Sequence, residues 1–213
     1  SCLRALATSS ALAEIFFCTN ISIAFFTSAW FQRHRGSRLP ALGSRVSGIT
    51  LVLAVAAFIQ IFLGAVMRHL GAGLAIPDFP LSFGRLIPPI ETMEVAANFA
   101  HRVGAVVITA LIIAVAARVF RSGPATLKPI VTALCLIVCV QIYLGARVVW
   151  DASENVRIYH SLAGEEAIRH ATVTSLHVMT GAATFALAVL LALAARAVEP
   201  EETPALTGRE VPA

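Results

Sequence analysis

Charge is scarce in this chain. Asp, Glu, Lys and Arg make up 13% of its 213 residues, hydrophobic residues 58%, and the mean hydropathy is +0.82. A typical soluble domain carries about 25% charged residues, so a water-covered globule is excluded and a membrane protein is expected. The net charge of +4 comes from basic residues gathered in two short connections, so it carries topological information and gives no reason to invoke nucleic acid. Cysteine is sparse as well. Cys2 and Cys18 are far apart in sequence, and Cys135 and Cys139 lie four residues apart inside one apolar run. All four read as small packing residues, and the two long loops contain no Cys, which excludes a disulfide there. Dedicated metal motifs are also missing. His34, His69, His160 and His170 form no H-x-x-x-H or H-E-x-x-H pattern, and the loop carboxylates show no cation-cage spacing. His69 and Asp78 could line the mouth of a site, but an ordinary surface loop is the simpler reading. The chain opens "SCLRALATSS" with no Met and no secretory signal pattern, so it is expected to be part of a longer protein.

Long apolar runs are what the sequence does have. Five of them, at about 10–31, 47–67, 98–118, 129–149 and 171–195, match the roughly 20 helical residues needed to cross a hydrocarbon core of about 30 Å. Only helices satisfy their backbone in lipid as single open segments. The connections "QRHRGSRLPALGSR" and "RVFRSGPATLK" are basic, whereas the last loop sets Asp151, Glu154, Glu165 and Glu166 against Arg157 and Arg169. By the positive-inside rule the basic connections are cytoplasmic. Loops 68–97 and 150–170 and the amino terminus then face outward, and the carboxy terminus is cytoplasmic. The tail "EPEETPALTGREVPA" is expected to be disordered.

The chain repeats itself. "IQIFLGAVMR" at 59–68 returns as "VQIYLGARVV" at 140–149, and "HRVGAVVITALIIAVAARV" from His101 is echoed by "HVMTGAATFALAVLLALAARAV" from His177. Each unit is one helix with Gln-Ile-aromatic-Leu-Gly-Ala near its outer end, a loop, and a returning helix with an early His and a later Ala-Ala-Arg. Both units run the same way, so they form parallel repeats about an axis along the membrane normal. Equivalent residues that face this axis face each other. His101 and His177 are therefore expected at one depth, roughly 5–10 Å below the outer surface at 1.5 Å per residue.

Ionisable residues inside a bilayer are costly and mostly functional, and His is a common axial ligand of haem. A matched pair on diagonal helices suits a bis-histidine b-type haem, since bundle cores build cofactor sites from facing helices. The plainer alternative is that each His hydrogen-bonds to a neighbouring helix. Arg68 and Arg147 follow the two Gln-containing motifs and Arg102 adjoins His101. Each could hold haem propionates through bidentate pairing, or could simply snorkel to the interface.

"FLGAVMRHLGAGLAIPDFPLSFGRLIPP" followed by "NFAHRVGA" resembles the haem A synthase family of inner-membrane enzymes. Its members carry a similar Gln-x-x-x-Gly-Ala-x-x-Arg, Gly-x-Gly-Leu-x-x-Pro-Asp-Trp-Pro, and a His-Arg at the outer end of the next helix. The likeness covers about residues 47–195 as one four-helix half, and the first span looks like the last helix of a preceding half. The resemblance implies oxidation of the C8 methyl of haem O to the formyl of haem A, for cytochrome oxidase assembly. One half would hold the substrate haem and the other a haem b. It also implies His101 and His177 as the iron ligands of this half, and Arg68, Gly71, Gly73, Pro77, Asp78 and Pro80 as its loop motif. This chain has Phe79 where Trp is frequent, Ile76 and Ser82 where many members place a loop disulfide, and Asn98 where a substrate half has Glu. Ser9 stands where the preceding helix would carry a His ligand. Methyl oxidation would then belong mainly to the other half.

The expected fold is an all-α polytopic membrane protein: a four-helix transmembrane bundle of two parallel two-helix repeats at 47–197, one extra amino-terminal transmembrane helix within 1–46, and a tail at 198–213. The expected function is the haem b-binding half of a haem A synthase-like protein in the bacterial inner membrane. Its partners would be haem O or haem b, the bilayer, and an amino-terminal half, a haem O synthase or a second copy. A stand-alone dihistidine cytochrome passing electrons to a partner and a haem-free structural or transport bundle are the alternatives.

Overall fold

The structure, a computed structural model, describes residues 2–34, 44–154 and 165–197. The expected tail lies outside these residues, as does the middle of the second long loop, 155–164. Six α-helices account for most of what is described: α1 (Cys2–Thr27), α2 (Ala29–His34), α3 (Ser44–His69), α4 (Met93–Ser122), α5 (Lys128–Glu154) and α6 (Glu165–Ala197). No strand occurs among the described residues; the loop between α3 and α4 holds one short antiparallel bridge, Ser82 to Arg85.

Among the described residues four helices are long and apolar enough to cross a membrane: α3, α4, α5 and α6. Within α1 the described side chains form a further apolar segment, Leu12–Thr27, and the expected span to residue 31 is interrupted at Ser28. There the Ser28 hydroxyl accepts from the Phe31 N–H at 3.1 Å, starting a new helix. The other helices overrun their apolar segments because hydropathy ends where lipid ends, whereas a helix continues to its capping signals. For α4 these are Thr92, whose hydroxyl accepts from the Val95 N–H, and Gly123 before Pro124.

Around the bundle, α3 packs against α4 and α6, and α5 packs against the same two helices. Equivalent helices of the repeat thus lie opposite one another, α3 across from α5 and α4 across from α6. The short first helix pair packs on the outside, against α6 and α3. Side chains such as Val106, Ile113, Leu136 and Val178 are exposed on the outer faces, as lipid-facing surface requires.

The closely packed core is confined to one part of the bundle. Leu53, Ile112, Val115, Leu134 and Leu191 are fully buried there, and Ile108, Val138 and Phe185 mark its upper limit. Above that limit, at the end where the α3–α4 loop sits, the inward-facing residues are polar or small and only half-buried.

Candidate functional site

His101 enters this upper layer from α4 and His177 from α6, on diagonal helices. Their ring centroids are 6.4 Å apart with planes at 67°. Each ring rests on a glycine of the other helix in its own repeat: a Cβ on Gly64 would lie 3.2 Å from His101 Cε1, and one on Gly145 would lie 3.0 Å from His177 Cε1. Both contacts are tighter than a real Cβ comfortably accepts, so the Gly of each Gln-x-x-x-Gly motif is what lets an imidazole approach the backbone.

The glutamines of the same motifs are the histidines' partners. Gln60 Nε2 donates to the His101 carbonyl at 2.8 Å and lies 3.2 Å from His101 Nδ1. His177 Nδ1 lies 3.1 Å from the Gln141 carbonyl oxygen, and the Thr180 hydroxyl donates to Gln141 Oε1. The glycines following each His, Gly104 and Gly181, lie against the amide groups of Gln60 and Gln141. Gln, Gly and His thus interlock between α3 and α4 and again between α5 and α6.

Over this layer lies the 70–92 loop, and Arg102 is its anchor. From α4, Arg102 Nη1 donates to the carbonyls of Asp78 (2.7 Å) and Leu81 (2.9 Å), and Nη2 donates to Ile76 (3.0 Å). Its Nε donates to Asn98 Oδ1 at 2.9 Å. Buried Asn98 passes the link on, donating to the carbonyls of Ala72 at 2.8 Å and Gly73 at 3.0 Å. The Phe79 ring lies 5.8 Å from the guanidinium carbon and edge-on to Trp150, whose indole N–H donates to the Phe79 carbonyl. Thus α5 also touches the loop.

Asp78 closes the loop on itself. Its two carboxylate oxygens accept from the N–H groups of Phe83 and Gly84, both at 2.7 Å. These two residues have φ of 55° and 71° and form the centre of a tight turn bridged by Ser82 and Arg85. Two positive φ values in succession define the type I′ geometry, uncommon for a Phe, and the carboxylate holds both amides in place. Partial burial pushes the Asp78 carboxyl up, but the Gly84 and Phe83 N–H groups, with Arg102 nearby, outweigh it and hold the carboxyl below its ordinary value of 3.8. A depressed carboxyl stabilises the fold above its unfolded pKa and loses that contribution as pH falls through the folded one. The loop is therefore expected to stay closed at neutral pH and to loosen only below about pH 3.8, with Asp78→Asn loosened at every pH. Trp150 fluorescence during acid titration, compared between wild type and Asp78→Asn, reads this directly.

Of the residues singled out in the sequence, the structure brings His101 and His177 together. Arg102 directs four donors into the loop and its tie, and Arg147 pairs with Asp151 one turn along α5. Arg68 and His69 are exposed at the end of α3. Cys18, Cys135 and Cys139 are free thiols, and among the described residues no His, Cys, Asp and Glu side chains cluster as a metal-ion site. In the sequence alone Gln60 and Gln141 mark only the repeat, and Asn98 stands only where a substrate half has Glu. The signal for their roles was present: in both units the Gln lies one helical turn before the glycine that seats the His.

The fold and site define a class: a multi-pass helical membrane protein with a paired-histidine layer beneath a loop. The family described as cytochrome oxidase assembly protein matches residues 15–164, and the chain belongs to this, the haem A synthase family. Similar proteins include the haem A synthases of Symbiobacterium thermophilum (43% identical over 74 residues, 35% of this chain and 22% of the relative), Shouchella clausii (26% over 128 residues, 58% and 42%) and Maricaulis maris (31% over 142 residues, 60% and 42%). The chain thus spans less than half the length of these curated relatives. No solved structure matches it significantly.

Proposed function

We propose that this chain forms the haem b-binding half of a haem A synthase-type protein, with His101 and His177 as axial ligands. The observation that carries the reading is the 6.4 Å separation of two imidazoles on diagonal helices. With metal–imidazole bonds of about 2 Å, two rings sharing one metal ion have centres roughly 6 Å apart. The donor set fits as well, since two imidazoles are the soft-nitrogen pair a low-spin haem takes. The dense apolar core stops just below the rings, and Gly64, Gly104, Gly145 and Gly181 make room there for the imidazoles and the glutamine amides.

When bound, haem b supplies a one-electron iron couple. The chain's own residues hold and enclose it. His101 and His177 would hold it, the apolar core below would keep water from that side, and the loop anchored by Arg102 would lie over it. Arg102 spends its donors on the loop, so Arg68 and Arg147 are the better candidates for propionates, Arg147 by exchanging Asp151. Asn98 is committed to tying the loop, which leaves no carboxylate three residues before His101 to move protons. That supports electron acceptance here, with the oxidation of haem O to haem A proposed for the other half of the whole protein. We place the loop end at the outer face of a bacterial inner membrane, on the strength of the basic connections at the opposite end.

Reduced-minus-oxidised spectra of the purified chain loaded with haem b test the reading. A low-spin b-type signal at one haem per chain is expected, and its absence overturns the site. Incubation with haem O and an oxidant, dioxygen or a quinone-class electron acceptor, should give no formyl product from this chain alone; conversion would move the methyl chemistry onto it.

A further inference from the structure

The two histidines are equivalent in the repeat but are not held alike. His177 Nδ1 faces the main-chain carbonyl of Gln141 at 3.1 Å. A carbonyl only accepts, so Nδ1 carries the proton and Nε2 keeps its lone pair; the Gln141 amide nitrogen sits loosely against that Nε2 at 3.4 Å. His101 Nδ1 instead faces the Gln60 amide nitrogen at 3.2 Å. An amide nitrogen only donates, so here Nδ1 accepts and the proton sits on Nε2. His177 thus presents an unprotonated nitrogen that only the Gln141 amide touches, at 3.4 Å, and His101 presents a protonated one.

Gln60 also carries an unusual spare group. Its Oε1 is buried and has no hydrogen-bond partner among the described residues. It lies over Gly104, where an added Cβ would approach to 2.0 Å. The equivalent oxygen of Gln141 is occupied by the Thr180 hydroxyl. Buried amide oxygens are rarely left unpaired. One residue of this pair is saturated, and the other has an unused acceptor within the same amide that touches Nδ1.

We infer that Gln60 is a positioning residue for His101: its amide turns so that Oε1 accepts the Nδ1 proton, releasing the Nε2 lone pair, whereas His177 is set by the main chain and needs no such partner. The proton moves from Nε2 to Nδ1 of one neutral ring, with no change in charge. The His101 carbonyl given up by Gln60 remains inside helix α4, where the main chain serves it. This inference rests on the haem reading above.

The test uses the full chain in detergent with haem b, measuring affinity, low-spin EPR g-values and midpoint potential. Gln60→Leu is expected to weaken haem binding about 10- to 100-fold, the usual cost of losing a ligand's hydrogen-bond partner, and to shift the g-values. Gln60→Glu, which retains an acceptor, is expected to restore affinity and lower the midpoint potential. Gln141→Leu is expected to cost less than Gln60→Leu, because the main-chain carbonyl of residue 141 still holds His177 Nδ1, and His69→Ala, at the exposed end of α3, is the unchanged control. Gln60→Leu behaving as wild type, or Gln60→Glu failing as badly as Gln60→Leu, overturns the inference. A wild type without a low-spin signal instead overturns the haem reading on which it rests.

Discussion

His101→Ala and His177→Ala are each expected to abolish the low-spin b-type spectrum while leaving the helical content unchanged. On the proposed reading each substitution would remove one of the two imidazole nitrogens that hold the iron, and the low-spin signal would go with it. The loss of affinity should exceed the roughly 10- to 100-fold that follows from deleting only a ligand's hydrogen-bond partner. The fold should tolerate both changes because the rings are only half-buried and lie outside the cluster of Leu53, Ile112, Leu134 and Leu191 that closes the bundle. His69→Ala is the internal control, since His69 is exposed at the end of α3. Haem content, absorption spectra and far-ultraviolet circular dichroism on the three variants decide the matter. A wild-type spectrum from either ligand variant would leave both rings as ordinary packing histidines.

Arg102→Ala is expected to free the 70–92 loop without unfolding the bundle. Four hydrogen bonds from one guanidinium disappear at once, and Asn98 loses the partner that orients its own donation to Ala72 and Gly73. Hydrogen bonds to charged groups contribute about 1.5–3 kcal/mol each when well formed. Because Arg102 is half-exposed and the acceptors can turn to water, a local loss on the order of 3 kcal/mol is the reasonable expectation. Arg102→Lys should not rescue it, because a single ammonium cannot span acceptors spread over Ile76, Asp78, Leu81 and Asn98. Hydrogen exchange across residues 72–85 should rise in both variants, while exchange in α3 to α6 stays near wild type. Unchanged protection of the loop would show that Asp78 and the Phe79–Trp150 contact hold it unaided.

The reading of Arg102 shows why residue type and spacing were informative only up to a point. Adjacent to His101 and at a helix end, it looked like a propionate ligand by chemistry alone. Any buried anion or set of carbonyls can recruit a guanidinium, and the Pro-rich loop folds back to supply the carbonyls. Asn98 shows the same limit: compared with the Glu of a substrate half it reads as a deficiency, yet in space it bridges two loop carbonyls and Arg102. Neither role follows from sequence, because both depend on how a 23-residue connection between α3 and α4 turns.

The opposite holds for the histidine pair. The offset of 81 residues for Gln60 and Gln141 and of 76 for His101 and His177, joined to the even number of spans between them, requires equivalent helices to sit across a common axis. Apolar length and repeat therefore determined the membrane bundle, the diagonal arrangement and the two facing imidazoles before any coordinate was known, since lipid admits few ways to satisfy a backbone. What only the tertiary structure decided is the chemistry around those rings. Which amide atom meets which ring nitrogen, and where a guanidinium finds its acceptors, depend on contacts of about 3 Å between helices and loop, and a linear pattern does not encode distances that short.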